Sequence, residues 1–156
     1  MYPKLISFIV SGRNDNYMGN FTYRLATCIN YIAHGAKKLG RLADIEIMLT
    51  DWNSDVPLAE DLPLSPEAAE ICQFVYVPPA IAQTVQLPDQ VFFGACAVNV
   101  SLRRATGEFI LLINADLLIP HYSLRLLLDL AQRKLELPLP LEKVVFLQGG
   151  SIFLGR

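Results

Sequence analysis

At 156 residues, 53% of them hydrophobic, the chain has the length of one domain and enough apolar material to fill a core. A net charge of −2, from 13 Lys and Arg against 15 Asp and Glu, argues against a general nucleic-acid binder, which needs a basic face. No apolar run reaches the roughly 18 residues that span a bilayer. The start, Met1-Tyr2-Pro3-Lys4 and one short apolar strand, lacks a signal peptide's long apolar region and small-residue cleavage site.

Leu5 to Val10 reads as a buried strand running into the loop Ser11 to Asn16, where Asp15 suits the cap of a turn better than a ligand. An amphipathic helix follows from Phe21 to Leu39, with Leu25, Cys28, Ile29, Ile32 and Leu39 on one stripe, His34 as a structural residue, and Gly40 to end it. Ile45 to Thr50 is a second strand, delivering Asp51-Trp52-Asn53-Ser54-Asp55. Val56 to Pro66, with three prolines, reads as loop, then a short helix near Pro66 to Glu70. Cys72 to Val77 is a third strand stopped by Pro78-Pro79, and Ala80 to Asp89 reads as irregular. Phe92 to Ala105 is a helix whose small residues allow close packing on a sheet.

Gly107 then ends that helix, and five apolar residues, Phe109 to Ile113, form a buried fourth strand closed by Asn114-Ala115-Asp116. Strand alternation points Asn114 and Asp116 the same way, so their oxygens can meet a ligand or a hard cation; the plainer reading is a polar turn. His121 is a weaker ligand candidate than a residue at a helix entrance. Ser123 to Leu135 is a Leu-rich helix apolar round most of its circumference, which implies burial on two sides or an interface with another copy or a missing half. A Pro-containing linker, Leu137 to Leu141, leads to a fifth strand, Lys143 to Leu147. Cys28, Cys72 and Cys96 have no ligand-like spacing and apolar neighbours, the pattern of reduced core thiols. That implies a cytoplasmic protein, with peripheral membrane association left open.

Strands alternating with helices predict an α/β, Rossmann-like domain over residues 1–156, with a mostly parallel sheet covered on both faces. Ligands of such sheets bind beyond the carboxyl ends of the strands. Three polar clusters obey that rule, Ser11 to Asn16, Asp51 to Asp55 and Asn114 to Asp116, with Asp51 and Asp116 expected to end neighbouring strands and to face one cleft.

With these residues in view, the chain resembles the amino-terminal, nucleotide-sugar-binding half of family 2 glycosyltransferases, which have the GT-A fold. The family's first strand ends near an Asn, its second in Asp-Asp-Gly-Ser-Thr-Asp, and Ala-Arg-Asn-x-Gly and Ala-Thr-Gly-Glu-Tyr then lead to Asp-x-Asp. The counterparts are Ile9-Val10-Ser11-Gly12-Arg13-Asn14, Thr50-Asp51-Trp52-Asn53-Ser54-Asp55, Ala97-Val98-Asn99-Val100-Ser101, and Ala105-Thr106-Gly107-Glu108-Phe109 leading to Asn114-Ala115-Asp116. The match spans about residues 4 to 120, and it looks closest to a subgroup with Asn-x-Asp in place of Asp-x-Asp. The resemblance implies that a nucleotide diphosphate sugar, a UDP-sugar for preference, is transferred to an acceptor hydroxyl. It further implies that Mn²⁺ or Mg²⁺ is held by Asp116 with Asn114 beside it, and that Asp51 accepts a hydrogen bond from the base. Ser11, Gly12 and Arg13 would border base and ribose, and Asn99 would belong to the same donor-binding set. Trp52 either stacks on the base or fills the space between sheet and helix.

The chain departs from the family at two places. Val98 replaces the family Arg, leaving Arg103 or Arg104 as substitutes. Nothing in Leu117 to Arg156 matches the acceptor-binding half or its catalytic base, and Glu136 and Glu142 read as solvated charges. The same residues therefore also suit a non-catalytic binding module that keeps the fold.

Overall fold

The computed structural model describes residues 4–134 and the backbone of 145–148 and 151–154. Its first strand, β1 (Ile6–Gly12), leads through a polar loop into α1 (Phe21–Lys38), and a single 3₁₀ turn (Leu42–Asp44) returns the chain to β2 (Ile45–Trp52). Two short helices, α2 (Leu58–Asp61) and α3 (Pro66–Ile71), precede β3 (Cys72–Val77). After it come α4 (Pro79–Val85), α5 (Gly94–Leu102), β4 (Phe109–Leu112) and α6 (His121–Ala131). A separate antiparallel pair, β5 (Val145–Gln148) and β6 (Ser151–Leu154), follows.

β1 to β4 form one all-parallel sheet in the order β3-β2-β1-β4. Every residue of β2 is buried, as expected of a strand covered on both faces. The chain moves outward from β1 through β2 to β3, then crosses back to place β4 on the free side of β1. With right-handed crossovers, that reversal puts α1 and α3 on one face and α5 on the other. Two apolar clusters match this division. Ile6, Phe8, Val10, Ile45, Ile47 and Leu49 join the residues of α1, α3 and α6, whereas Trp52 and Val77 pack with Ala82, Ala97, Phe92 and Phe93. Among the described residues, no helix is long and apolar enough to cross a membrane.

The buried stripe of α1 is the predicted one, with Leu25, Cys28, Ile29 and Ile32 at 0% exposure. It closes as a hydrogen-bonded C-cap. Gly40, at φ 67°, donates its N–H to the Lys37 carbonyl, and Arg41 donates to that of Ala36.

Four expectations need correcting. Residues 79–85 are helical, because Pro79 sits at the first helical position, where its missing N–H costs nothing. β4 is not fully buried: Phe109 and Leu111 face α1, but Ile110 and Leu112 are 43% and 46% exposed on the other side. Gly107 does not end α5, which stops at Leu102; it lies flush on β1, where a Cβ would stand 2.5 Å from the Ser7 backbone nitrogen. The fifth strand pairs with β6 and not with the main sheet. Of the two readings of the Leu-rich helix, burial is the one seen: Leu124 and Leu128 of α6 are fully buried, α6 packs on α1, and Leu126, Leu127 and Leu130 are half-buried. The Leu137 to Leu141 linker lies outside the described residues.

Candidate functional site at the carboxyl edge

In this strand order the direction of winding reverses between β1 and β4, and the crevice beyond the carboxyl ends of those strands is where such a sheet offers a ligand site. The loops after β1, β2 and β4 all emerge on this edge. Asp51 and Asp116 share it, but they do not follow neighbouring strands, because β1 lies between β2 and β4.

The β1 and β2 loops are knitted into one polar knot. Asp51, 1% exposed, accepts the Leu58 N–H at 2.7 Å on one carboxylate oxygen and the Ser54 hydroxyl on the other. Burial pushes its carboxyl above the ordinary value, while those two donors pull it down. The Ser54 hydroxyl oxygen accepts the Asn14 N–H at 2.7 Å, and the Ser54 carbonyl accepts the Tyr76 hydroxyl at 2.8 Å. Arg13 donates from Nε to the Asn53 carbonyl at 2.8 Å and pairs with Asp15 at 3.2 Å and with Asp55 at 3.9 Å. Asn53 has a left-handed backbone, φ 60°, and its side chain donates to the Val91 carbonyl at 2.8 Å. Asp15 accepts the Tyr17 N–H at 2.9 Å, the turn-capping role expected of it.

The sequence-predicted residues therefore divide between the faces. Gly12 and Asp51 point to the α1 side, and a Cβ on Gly12 would stand 2.5 Å from the Phe21 ring. Ser11 pairs in register with Thr50 and points to the α5 side with Trp52. Trp52 is 2% exposed and donates its indole N–H to Gln86 at 3.0 Å, so it fills the space between sheet and helix. Asn99 is exposed on α5, and among the described residues its side chain makes no hydrogen bond to the edge loops. Arg103 and Arg104 stand at the carboxyl end of α5, which runs against the strands, and so lie toward the opposite edge.

Asn114 to Leu117 is a β-turn, with Leu117 N–H donating to the Asn114 carbonyl at 3.2 Å. Because β4 stops at Leu112, strand alternation does not carry through to Asn114 and Asp116. The Asp116 side chain, half exposed, pairs with Arg24 of α1 at 2.7 Å. Sequence reasoning missed Arg24. It donates a further bond from Nε to the Gly19 carbonyl at 3.2 Å and one from NH2 to the Tyr17 carbonyl at 2.6 Å, and it lies 5.9 Å from the centre of the Phe21 ring. The available signal was that Arg24 is the lone Asp, Glu, Lys or Arg between Asp15 and Lys37. Around it, Met18, Gly19 and Asn20 are three consecutive left-handed residues, with φ of 53°, 75° and 51°. Strained backbone of that kind persists only where its surroundings hold it.

A hard divalent cation takes six or more oxygens, ionised for preference. Here one carboxylate already holds a guanidinium and the other candidate is a neutral amide. Among the described residues, no three His, Cys, Asp or Glu side chains gather where they could hold a metal. The donor set of Asn114 and Asp116 does not fit Mn²⁺ or Mg²⁺ unaided. His121 packs away from Asp116: it stacks on Tyr31 with ring centres 5.4 Å apart and lies against Gly35, between α1 and α6.

Among the described residues, the Ala105-Thr106-Gly107 segment of the family resemblance makes no hydrogen bond to this edge. Thr106 donates its N–H to Glu46 at 2.6 Å, and Gly107 donates to the Ser7 hydroxyl at 2.8 Å, which in turn donates to Glu46 at 2.5 Å. Those groups lie near the amino ends of β1 and β2, so the segment clamps β4 to the sheet.

Fold and edge define a Rossmann-like α/β domain with a polar rim at its switch point. No protein-family model matches the chain, and no curated protein does.

Proposed function

We propose that this domain binds a nucleotide diphosphate sugar at the carboxyl edge of its sheet, as the donor-binding half of a family 2 glycosyltransferase of GT-A type does. The observation that carries the reading is the convergence of residues 13–20, 51–55 and 113–118 on the edge that flanks the β1/β4 switch point. The knot of Arg13, Asn14, Asp51 and Ser54 forms a rigid floor for a nucleoside, and the open side of the Asn114–Leu117 turn faces the same rim. In a complete enzyme the sugar passes to an acceptor hydroxyl by direct displacement, and the residues seen here bind and orient the donor.

Non-catalytic binding is the second reading, and a specific geometry favours it. Displacement needs a base within about 3 Å of the acceptor hydroxyl. At this edge Asp51 is buried under two donors, Asp15 and Asp116 are paired with arginines, and Asp55 is 89% exposed. Titrating the ¹⁵N-labelled chain with UDP tests both readings together. Shifts confined to residues 12–20, 51–55 and 113–118 are expected; shifts centred on the opposite edge, or none at all, would reject the site. An accompanying assay of UDP-sugar consumption separates a transferase from a binding module.

A further inference from the structure

Resting on the reading of this edge as a diphosphate site, we propose that Arg24, and not a divalent cation, supplies the positive charge for the diphosphate. Asp116 holds the guanidinium in place until phosphate displaces it. The arrangement of bonds around Arg24 is unequal. Its contacts to the Gly19 and Tyr17 carbonyls fix the guanidinium to the strained loop, and the Phe21 ring, seated against Gly12, supports it from below. The third contact, to Asp116, is the one made to a charged and half-exposed partner. That contact can be exchanged for a phosphate oxygen while the other two keep the planar fork oriented, so little ordering remains to be done on binding.

Phosphate is also the better partner, since it brings more charge and more acceptor oxygens to the same fork. A second feature has the same sign: α1 begins at this switch point, and although Asn16 accepts the Asn20 N–H at 2.9 Å, among the described residues no side chain accepts those of Phe21, Thr22 and Tyr23, which add to the attraction for an anion. A divalent ion bound to Asp116 would instead stand beside a guanidinium nitrogen 2.7 Å from the same carboxylate, and like charges so close repel strongly. The two roles for Asp116 predict opposite signs. A metal ligand strengthens nucleotide binding, whereas a competitor for Arg24 weakens it.

The experiment is calorimetry with UDP and, separately, inorganic pyrophosphate, each in EDTA and in Mn²⁺, on the wild type, Arg24→Gln, Arg24→Lys and Asp116→Asn. Both probes should bind in EDTA, with Mn²⁺ changing affinity less than about twofold. Arg24→Gln should weaken both by about tenfold or more, the scale of a charged hydrogen bond, with Arg24→Lys in between. Asp116→Asn, which leaves Arg24 intact, should tighten both by about two- to fivefold, the scale of a half-exposed ion pair. Weaker binding in Asp116→Asn together with a tenfold gain from Mn²⁺ would overturn the inference and leave the nucleotide reading standing. Arg24-dependent binding of pyrophosphate without UDP would uphold the anion site and reject the nucleotide. Binding of neither probe would reject both.

Discussion

The Glu46 carboxylate accepts the backbone N–H of Thr106 at 2.6 Å and thereby joins the second residue of β2 to the segment that leads into β4. The side chain is 1% exposed and also receives the hydroxyls of Ser7 and Thr106 and the amide of Gln73. Removing it strands buried donors. Glu46→Ala should destabilise the fold by about 3 kcal/mol, and Glu46→Gln, which keeps an acceptor, by about 1 kcal/mol. Urea unfolding followed by circular dichroism measures both; equal midpoints for the two variants would remove the network from the account.

Gly107 makes a second, steric test of the same clamp. Its Cβ would meet the backbone of Ser7 at 2.5 Å and of Ile6 at 2.9 Å, and backbone cannot swing aside as a side chain can. Gly107→Ala should cost about 3 kcal/mol. An unchanged melting temperature would show that β4 can move away from β1.

At the other end of β1, the obstacle is a side chain. Gly12→Ala places a methyl 2.5 Å from the Phe21 ring, and the expected loss is about 2 kcal/mol. Phe21→Leu in the same chain should restore part of it. If the double variant is less stable than the sum of the single losses, the contact is not the cause.

For Asp51 the prediction concerns pH. Burial raises its folded carboxyl value above 3.8, so the folded chain holds that proton more tightly than the unfolded one. The resulting stabilisation is full below 3.8 and is lost as pH rises through the raised folded value. The stability of the wild type minus that of Asp51→Asn should therefore fall as pH rises from 3.8 through the raised folded value and level off above it. A difference that rises with pH would mean that the Ser54 and Leu58 donors outweigh burial.

Cys28 tests the core. Desolvation pushes its thiol up to about 11, and burial pushes that of Cys72 up to about 12. Iodoacetamide at about pH 8 should leave Cys28 unmodified in the folded chain and alkylate it in denaturant, as read by peptide mass spectrometry. Rapid labelling of the native protein would contradict its burial.

The strands were legible in the sequence because each is a short apolar run bounded by Gly, Pro or polar residues, and α1 because its stripe recurs at helical spacing. Residues 79–85 were not, since the Pro pair that stops β3 also starts a helix. The site was legible only as loops at strand ends. Which oxygens stay open depends on partners that the strand-end motifs do not reveal: Asp51 is used by the Leu58 N–H in the loop that follows, and Asp116 meets Arg24 from a helix 92 positions earlier. The Ala-Thr-Gly segment shows the converse: in the sequence it leads into the Asn-Ala-Asp tripeptide, and in the fold it forms a structural clamp at the other edge.

Because β4 is the last strand of the main sheet to be made and joins β1, the first, the central strand is the one that waits longest for its second neighbour. About a hundred residues separate Ile6 from its partner Phe109 and, at the usual pace of synthesis, that is on the order of ten seconds. During that interval the β4-facing side of β1 carries unpaired backbone groups, the condition under which strands add to foreign chains. The Glu46–Thr106 clamp then acts when β4 docks, and seals an edge that has been open since β1 itself emerged.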